Sequence, residues 1–245
     1  MPMKILLLAD IHGNFPALEA ITEQLRQKGQ PLDQFDQICN CGDSTVYAPF
    51  PNECLAWLEA QHSISVRGNT DDGVIRLLRG QKLKSPKNPD KRRMYESTLV
   101  QLAPEARQTL LALEPTARLV VAGWRIGLYH GSPEDHEEFL FADTPESRFL
   151  EIAQGCGQDI VITGHSHTPY HKYLGNVHFI NPGSAGRMFD GDPRAAYAVL
   201  SLEDGRIAVE HHRVAYDVEA VVRELARQGL PPIYSEMYRL GRKLN

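Results

Sequence analysis

LLLADIHGN, residues 6–14, carries an apolar run straight into an aspartate, a histidine, a glycine and an asparagine within five positions. The apolar residues Ile5 to Leu8 predict a strand buried on both faces, the kind found inside a parallel or mixed sheet covered by helices. The polar residues then fall at the strand's carboxyl end, which is the ligand-binding edge of open α/β sheets. Taken alone, the stretch also reads as a plain strand-to-helix turn, with Asn14 capping a helix begun by Phe15 and Pro16. The choice depends on whether other strands deliver matching residues to the same place.

Strand-like runs recur as KILLLA, FDQIC, SISV, RLVVA, RIGLYH, DIVITG, NVHFI, AAYAVL and RIAVEHHRV. Phe15, Leu18, Ile21 and Leu25 share one helical face, as do Val218, Val221, Val222 and Leu225 after the cap residue Asp217. Early helices alternating with strands, followed by hairpin-like strands, predict an α/β sandwich of mixed sheets. CNCGDS follows the second run, VRGNTDD the third, LYHGS the fifth and VITGHSHT the sixth. Each sets an oxygen or imidazole ligand beside a glycine: Asp43, Asn69, His130 and His165. Asp10 with His12, and His165 with His167, stand two apart, which in extended chain turns both side chains one way. A lone histidine at a strand end is ordinary structure, but five such pieces in order predict a metal centre. Of the 10 histidines, His62, His136, His171, His178, His211 and His212 lack this context and default to surface or packing roles.

The composition is that of a globular protein, 42% hydrophobic and 23% charged, with no apolar run near the ~20 residues of a membrane span. The start MPMKILLLAD reaches an aspartate too soon for a signal peptide, so a soluble cytoplasmic chain is expected. Cys39, Cys41, Cys54 and Cys156 form no paired C-x-x-C framework, which fits reduced thiols. The net charge of -5 conceals a basic run from Arg76 to Arg93, where Arg76, Arg79, Lys82, Lys84, Lys87, Lys91, Arg92 and Arg93 face the single acid Asp90. Such a run is either a solvated face or a flap that attracts an anionic substrate. Between Thr70 and Thr116 a proline-containing stretch and two helix-like pieces, near Arg92–Leu102 and Pro104–Leu113, interrupt the rhythm. A helical cap insertion at about 70–116, within one domain spanning 1–245, is the expectation.

DIHGN, GD, GNTD, HG and GHSH resemble the five signature blocks of the calcineurin-like metallophosphoesterase superfamily, in particular its small bacterial and archaeal single-domain phosphodiesterases. NPGSAGR and DGDPRAAYAV extend the resemblance through Leu200, and GDSTVYAPFPNECL resembles members likened to diadenosine tetraphosphate hydrolases. The resemblance implies a four-layer fold: two mixed β-sheets packed as a sandwich and flanked by helices. It implies two divalent metals, one held by Asp10, His12 and His167, the other by Asn69, His130 and His165, with Asp43 bridging. Imidazole, carboxylate and amide together suit manganese first, then iron, zinc, nickel or cobalt, better than magnesium or calcium. A hydroxide bridging the metals would attack phosphorus in line, cleaving a phosphodiester or a phosphoanhydride such as a dinucleoside polyphosphate. Tyr47, Thr70 and Arg187 are the expected substrate contacts.

One departure stands out. Many superfamily members carry a histidine after the GN asparagine as leaving-group acid, oriented by the next aspartate; here Thr70 replaces it and Asp71 remains. Asp71 can cap the following helix instead, and His136 or water is left to supply the proton. The expected partner is a small anionic phosphate compound, a nucleotide being one candidate, with no membrane; the oligomeric state stays open. A nuclease and a catalytically silent binding scaffold are the alternatives. Against the nuclease, the basic run has only Tyr95 as an aromatic neighbour for stacking bases.

Overall fold

In the computed structural model, which describes residues 2–83 and 88–245, β1 (Met3–Leu8) lies at the centre of a five-stranded sheet. It runs parallel to β2 (Gln37–Asn40), and β2 runs parallel to the two-residue β3 (Ile64–Ser65). On its other side it pairs antiparallel with β9 (Ala195–Glu203), which pairs in turn with β10 (Arg206–Val214). Ile5 to Leu8 are fully buried because both faces are covered. Ile5 and Leu7 join the core between the sheets, whereas Leu6 and Leu8 pack under α1 (Phe15–Gln27) and α2 (Pro51–Ala60).

The second sheet orders its strands β4 (Thr116–Val121), β5 (Trp124–Tyr129), β6 (Ile160–Ile162), β8 (Val177–Asn181) and β7 (Tyr170–Leu174). β5, β6 and β8 are parallel, with antiparallel strands at both edges. Ile126, Leu128, Ile160, Ile162 and Ile180 face the first sheet, and α6 (Glu146–Cys156) covers the other side through Phe149 and Ile152. The chain is therefore a sandwich of two mixed sheets flanked by helices. β7 escapes the strand patterns read above because it is an edge strand with three polar or exposed positions, and only Tyr170 is buried.

Proline at the first turn starts α2, α4 (Pro89–Gln101), α5 (Pro104–Ala112) and α8 (Pro232–Leu240), where its missing N–H costs nothing. Asn14 and Asp217 cap α1 and α7 (Val218–Arg227), each accepting a bond from a backbone N–H in the first turn. With α3 (Asn69–Leu78), the helices α4 and α5 share one apolar cluster with α7 and α8: Val74, Met94, Leu110, Leu225, Tyr234 and Met237 are all buried in it. The helical layer beside the sheet edge thus combines the 70–116 segment with the chain's last two helices. Lys84 and Lys87 of the basic run lie outside the described residues. Among the described residues no helix is long and apolar enough to cross a membrane.

Candidate metal centre

The carboxyl ends of β1, β2, β5 and β6 meet at one edge of the sandwich, and backbone bonds lock their loops together. Asp10 N–H donates to Gly42 O at 2.9 Å, His12 N–H to Asp43 O at 2.8 Å, and Gly164 N–H to His130 O at 2.9 Å. The chain here is not extended, as the two-residue spacing had suggested. Asp10, His12, Asp43, His165 and His167 have φ of 53°, 51°, 54°, 63° and 57°. These left-handed conformations cost of order 1–2 kcal/mol each for residues with a Cβ. Five of them in one cluster mark a place where the surrounding fold holds strain for a purpose other than stability. Gly68 is required for a separate reason: a Cβ there would lie 2.0 Å from Asp43 Oδ1.

All seven residues expected as ligands come together, and three of the histidines are held from behind. His12 Nδ1 lies 3.3 Å from Thr45 O, His130 Nδ1 lies 2.9 Å from Cys41 O, and His167 Nδ1 meets the Arg187 carbonyl. A carbonyl can only accept, so each Nδ1 carries the proton and each Nε2 turns a lone pair inward. Inside, acceptor meets acceptor. His12 Nε2 is 3.3 Å from His167 Nε2 and His130 Nε2 is 3.1 Å from Asn69 Oδ1, while His165 Nδ1, whose tautomer no carbonyl fixes, lies 3.0 Å from His130 Nε2. Asp43 Oδ2 stands 3.6 Å from both His12 Nε2 and His130 Nε2, and Asp10 Oδ1 stands 3.4 Å from His167 Nε2. Asp10 belongs with His12 and His167 in one group of converging donors and with Asp43 and His130 in another. Lone pairs at such separations repel unless a cation lies between them, so the donor set fits divalent metal.

The electrostatics point the same way. Burial, with the Asp43 charge adding to it, raises the Asp10 pKa, and burial lifts Asp43 to about 6. Burial lowers His130 and His165 to about 3 and depresses His12 and His167 as well. Neutral imidazoles beside carboxylates that resist ionising make a pocket short of positive charge, which a bound cation would supply.

A model of the calcineurin-like phosphoesterase superfamily domain matches residues 3–205. The chain belongs to the calcineurin-like phosphoesterase superfamily. It is similar to the phosphodiesterase YfcE of Escherichia coli, 27% identical over 203 residues that cover 81% of this chain and 87% of that one. A metallophosphoesterase structure from Sphaerobacter thermophilus is 29% identical, covers 98% of this chain and 100% of its own, and superposes with a TM-score of 0.78. A hypothetical protein of Pyrococcus horikoshii, 20% identical over 99% of this chain and 100% of its own, shares the fold with a TM-score of 0.86.

In this phosphoesterase domain the other expected residues take distinct places. Asp71 is buried behind the donors. Its carboxylate accepts from Ser44 N–H, Thr45 N–H and Gly68 N–H at 3.0, 3.0 and 3.1 Å and from the Thr45 hydroxyl at 2.8 Å, splinting the β2 loop to the start of α3. Burial and the nearby Asp43 charge raise it to about 7 despite these bonds. Thr70 donates its N–H to Asp43 Oδ1 at 2.8 Å, and its hydroxyl is 3.3 Å from Thr45 O. His136 packs 5.6 Å from the His130 ring and pairs with Asp72 Oδ2 at 3.3 Å, which raises its pKa. Tyr47 is buried with its ring edge toward His12, and Arg187 lies 3.7 Å over its face.

Three aromatic residues here carried no signal in the sequence. Phe189 stacks on His167 and Phe139 on His165, both at 4.0 Å between ring centres, with the ring of Phe141 parallel to Phe139. Phe139 is 50% exposed. A cavity of about 330 Å³ opens beside Asn69, and Arg76 and Arg79 of the basic run line it with Arg67 and Tyr95.

Proposed function

We propose that the chain is a divalent-metal-dependent phosphohydrolase acting on phosphodiester or phosphoanhydride bonds. The observation that carries this reading is the inward convergence of carboxylate oxygens with the Nε2 atoms of His12, His130 and His167, whose Nδ1 protons are held by backbone carbonyls behind them. Asp10, His12 and His167 hold one ion, Asn69, His130 and His165 a second, and Asp43 is shared, since its Oδ2 is equidistant from a histidine of each set. Manganese heads the metals that suit such a donor set, ahead of iron, zinc, nickel and cobalt. Such ions would lower the pKa of a bound water and neutralise phosphoryl oxygens.

The chain's own residues then supply three functions. The N–H of Thr70, at the first turn of α3, holds Asp43 in place with the positive end of the helix behind it. Asp71 is a positioning residue, because four donors occupy its two oxygens and keep the loops of Asp43 and Asn69 in register. His136, whose pKa is raised by its pair with Asp72, is the proton donor to the departing oxygen. The full donor set favours chemistry over a silent scaffold. The fold's cytoplasmic substrate is a small phosphate compound attracted by the basic residues lining the cavity beside Asn69.

The test is hydrolysis of an aryl phosphodiester, a dinucleoside polyphosphate and single-stranded DNA by purified protein with added manganese and, separately, with a chelator. Metal-dependent turnover of the first two is expected. Undiminished turnover in metal-stripped protein overturns the metal reading, and turnover of DNA alone replaces the small substrate with a nucleic acid.

A further inference from the structure

Arg187 is a buried cation without an anion. Its side chain is 5% exposed, yet among the described residues no carboxylate lies within 4.0 Å of it. A guanidinium has five N–H donors. The bond recorded for them is a long one from Nη2 to Met237 Sδ at 3.6 Å, and the buried Nε has no partner. Tyr47, Phe189 and Tyr234 surround the guanidinium at 3.7, 4.9 and 5.6 Å. Their ring faces offset part of the charge's desolvation but accept none of its hydrogen bonds.

The backbone of the same residue is fixed to the metal centre. Arg187 N–H donates to Ser184 Oγ at 2.7 Å, and its carbonyl accepts from His167 Nδ1. Lys243 Nζ stands 5.8 Å over Phe189, the ring that stacks on His167. Lys91 of α4 lies close enough to Lys243 and Arg187 for their charges, after its own partial burial, to lower its pKa. Two cations from separate parts of the chain, Arg187 and Lys243, therefore flank Phe189 on the His167 side of the site, without an acidic partner within 4.0 Å among the described residues.

We infer that Arg187 and Lys243 form a subsite for a second phosphate group beside the scissile one, so that the substrate is a phosphoanhydride. This rests on the phosphohydrolase reading above. The scissile phosphate is answered by two divalent ions, whereas two further positive charges and the unpartnered Nε–H of Arg187 match an additional multiply charged, oxygen-rich group. Nucleoside polyphosphates and inorganic polyphosphate share this chemistry.

The test is titration calorimetry on the full chain at one fixed free manganese concentration, with orthophosphate, tripolyphosphate and adenosine triphosphate as probes, for wild type, Lys243→Ala and Arg187→Met. Wild type should bind tripolyphosphate at least ten-fold more tightly than orthophosphate, and both variants should bring that ratio to within about three-fold. Lys243 is exposed, so its loss leaves folding intact. The Tm of ligand-free Arg187→Met should equal or exceed that of wild type, because an unpartnered buried charge is removed; a purely structural arginine would lower it. A ratio unchanged in both variants, or equal losses for orthophosphate and tripolyphosphate, overturns the subsite. Adenosine triphosphate binding more tightly than tripolyphosphate supports a nucleotide occupant, and equal affinities support the inorganic chain. Diester hydrolysis with no polyphosphate preference would sink the subsite and spare the phosphohydrolase reading; polyphosphate preference without any hydrolysis would do the reverse.

Discussion

Nε2 of His12 and Nε2 of His167 face each other at 3.3 Å, and each ring has its proton on the far side, against the carbonyl of Thr45 or Arg187. Two lone pairs at this distance destabilise the metal-free fold. Metal should therefore act as a strong folding ligand. At a concentration one hundred times its Kd a ligand contributes ~2.7 kcal/mol, and for a chain this size each kcal/mol moves Tm by ~2–4 °C. Thermal unfolding monitored by circular dichroism should show a rise of about 5–10 °C on adding manganese, reversed by chelator. A Tm indifferent to both would remove the metal from this site.

Asp43 and Asp10 both lie among the converging donors, but only Asp43 Oδ2 sits 3.6 Å from a histidine of each set. Asp10 is further held by the His165 N–H at 3.0 Å, so it also shapes the loop behind the site. Asp43→Ala should leave less than one metal per chain by elemental analysis, whereas Asp10→Ala retains about one. Aryl diester turnover should fall by about 10²–10³-fold more in the first variant, the range typical of removing a group that stabilises charge at the reacting centre. Equal metal content and equal rates would count against a shared role for Asp43.

Gly68→Ala tests how tightly the centre is built. The added Cβ would approach Asp43 Oδ1 to 2.0 Å and Asp43 N to 2.4 Å, so the carboxylate or the loop has to move. Overpacking of this kind costs typically 1–3 kcal/mol. The variant should unfold at lower denaturant and bind manganese at least ten-fold more weakly. Stability loss with unaltered manganese affinity would show that Asp43 is more adaptable than its contacts indicate.

These contacts also show what was legible beforehand. The Asp, Asn and His positions could be read because they follow apolar runs and Asp43, Asn69, His130 and His165 each adjoin a glycine, a local pattern that survives in one dimension. The left-handed φ of Asp10, His12, Asp43, His165 and His167 could not, since such conformations are imposed by loop-to-loop bonds such as His12 N–H to Asp43 O. The assembly of α7 and α8 with α3 to α5 depends on contacts such as Ser97 of α4 with Gln228 at the end of α7, far apart in the chain. Phe139, Phe189 and Lys243 escaped notice because an aromatic or a lysine in a loop carries no periodicity. Arg187 was an expected substrate contact, but its residue type gave no hint that its neighbours are three rings and no carboxylate.

His136 and Asp72 give a pH signature. Asp72 raises the folded-state pKa of His136, so the pair's contribution is fully present below the unfolded histidine pKa and is lost as pH rises through the folded value. Asp72 is itself held below its ordinary range, despite partial burial, by His136 and Arg67, so its share is lost only as pH falls through that lowered value. The side chains are 27% and 37% exposed, which limits the coupling to less than about 1 kcal/mol. A double-mutant cycle with His136→Gln and Asp72→Asn should give a larger coupling at pH 6 than at pH 9. Equal couplings at both pH values would mean that the proton on His136 is not what binds the pair.

The proton donor can be read from leaving groups. Thr70 donates through its N–H to Asp43 and aims its hydroxyl at Thr45 O, and Asp71 has both oxygens occupied by two donors each. A histidine introduced as Thr70→His would thus find no free carboxylate to orient it, and it would have to fit a position that is already buried. Placing the acid at His136 makes a contrasting prediction. General acid catalysis contributes typically ~10²–10⁴-fold where protonation limits the rate. His136→Gln should therefore cost about 10²-fold with alkoxide-like leaving groups and little with nitrophenolates or terminal phosphates, which depart as stable anions. The measurement is kcat/KM across diesters graded by leaving-group pKa. A steeper slope for His136→Gln, with Thr70→His no flatter than wild type, supports the assignment. A slope unchanged in His136→Gln would transfer the proton to water, and a flatter one in Thr70→His would show that Asp71 can release its donors to orient a ring.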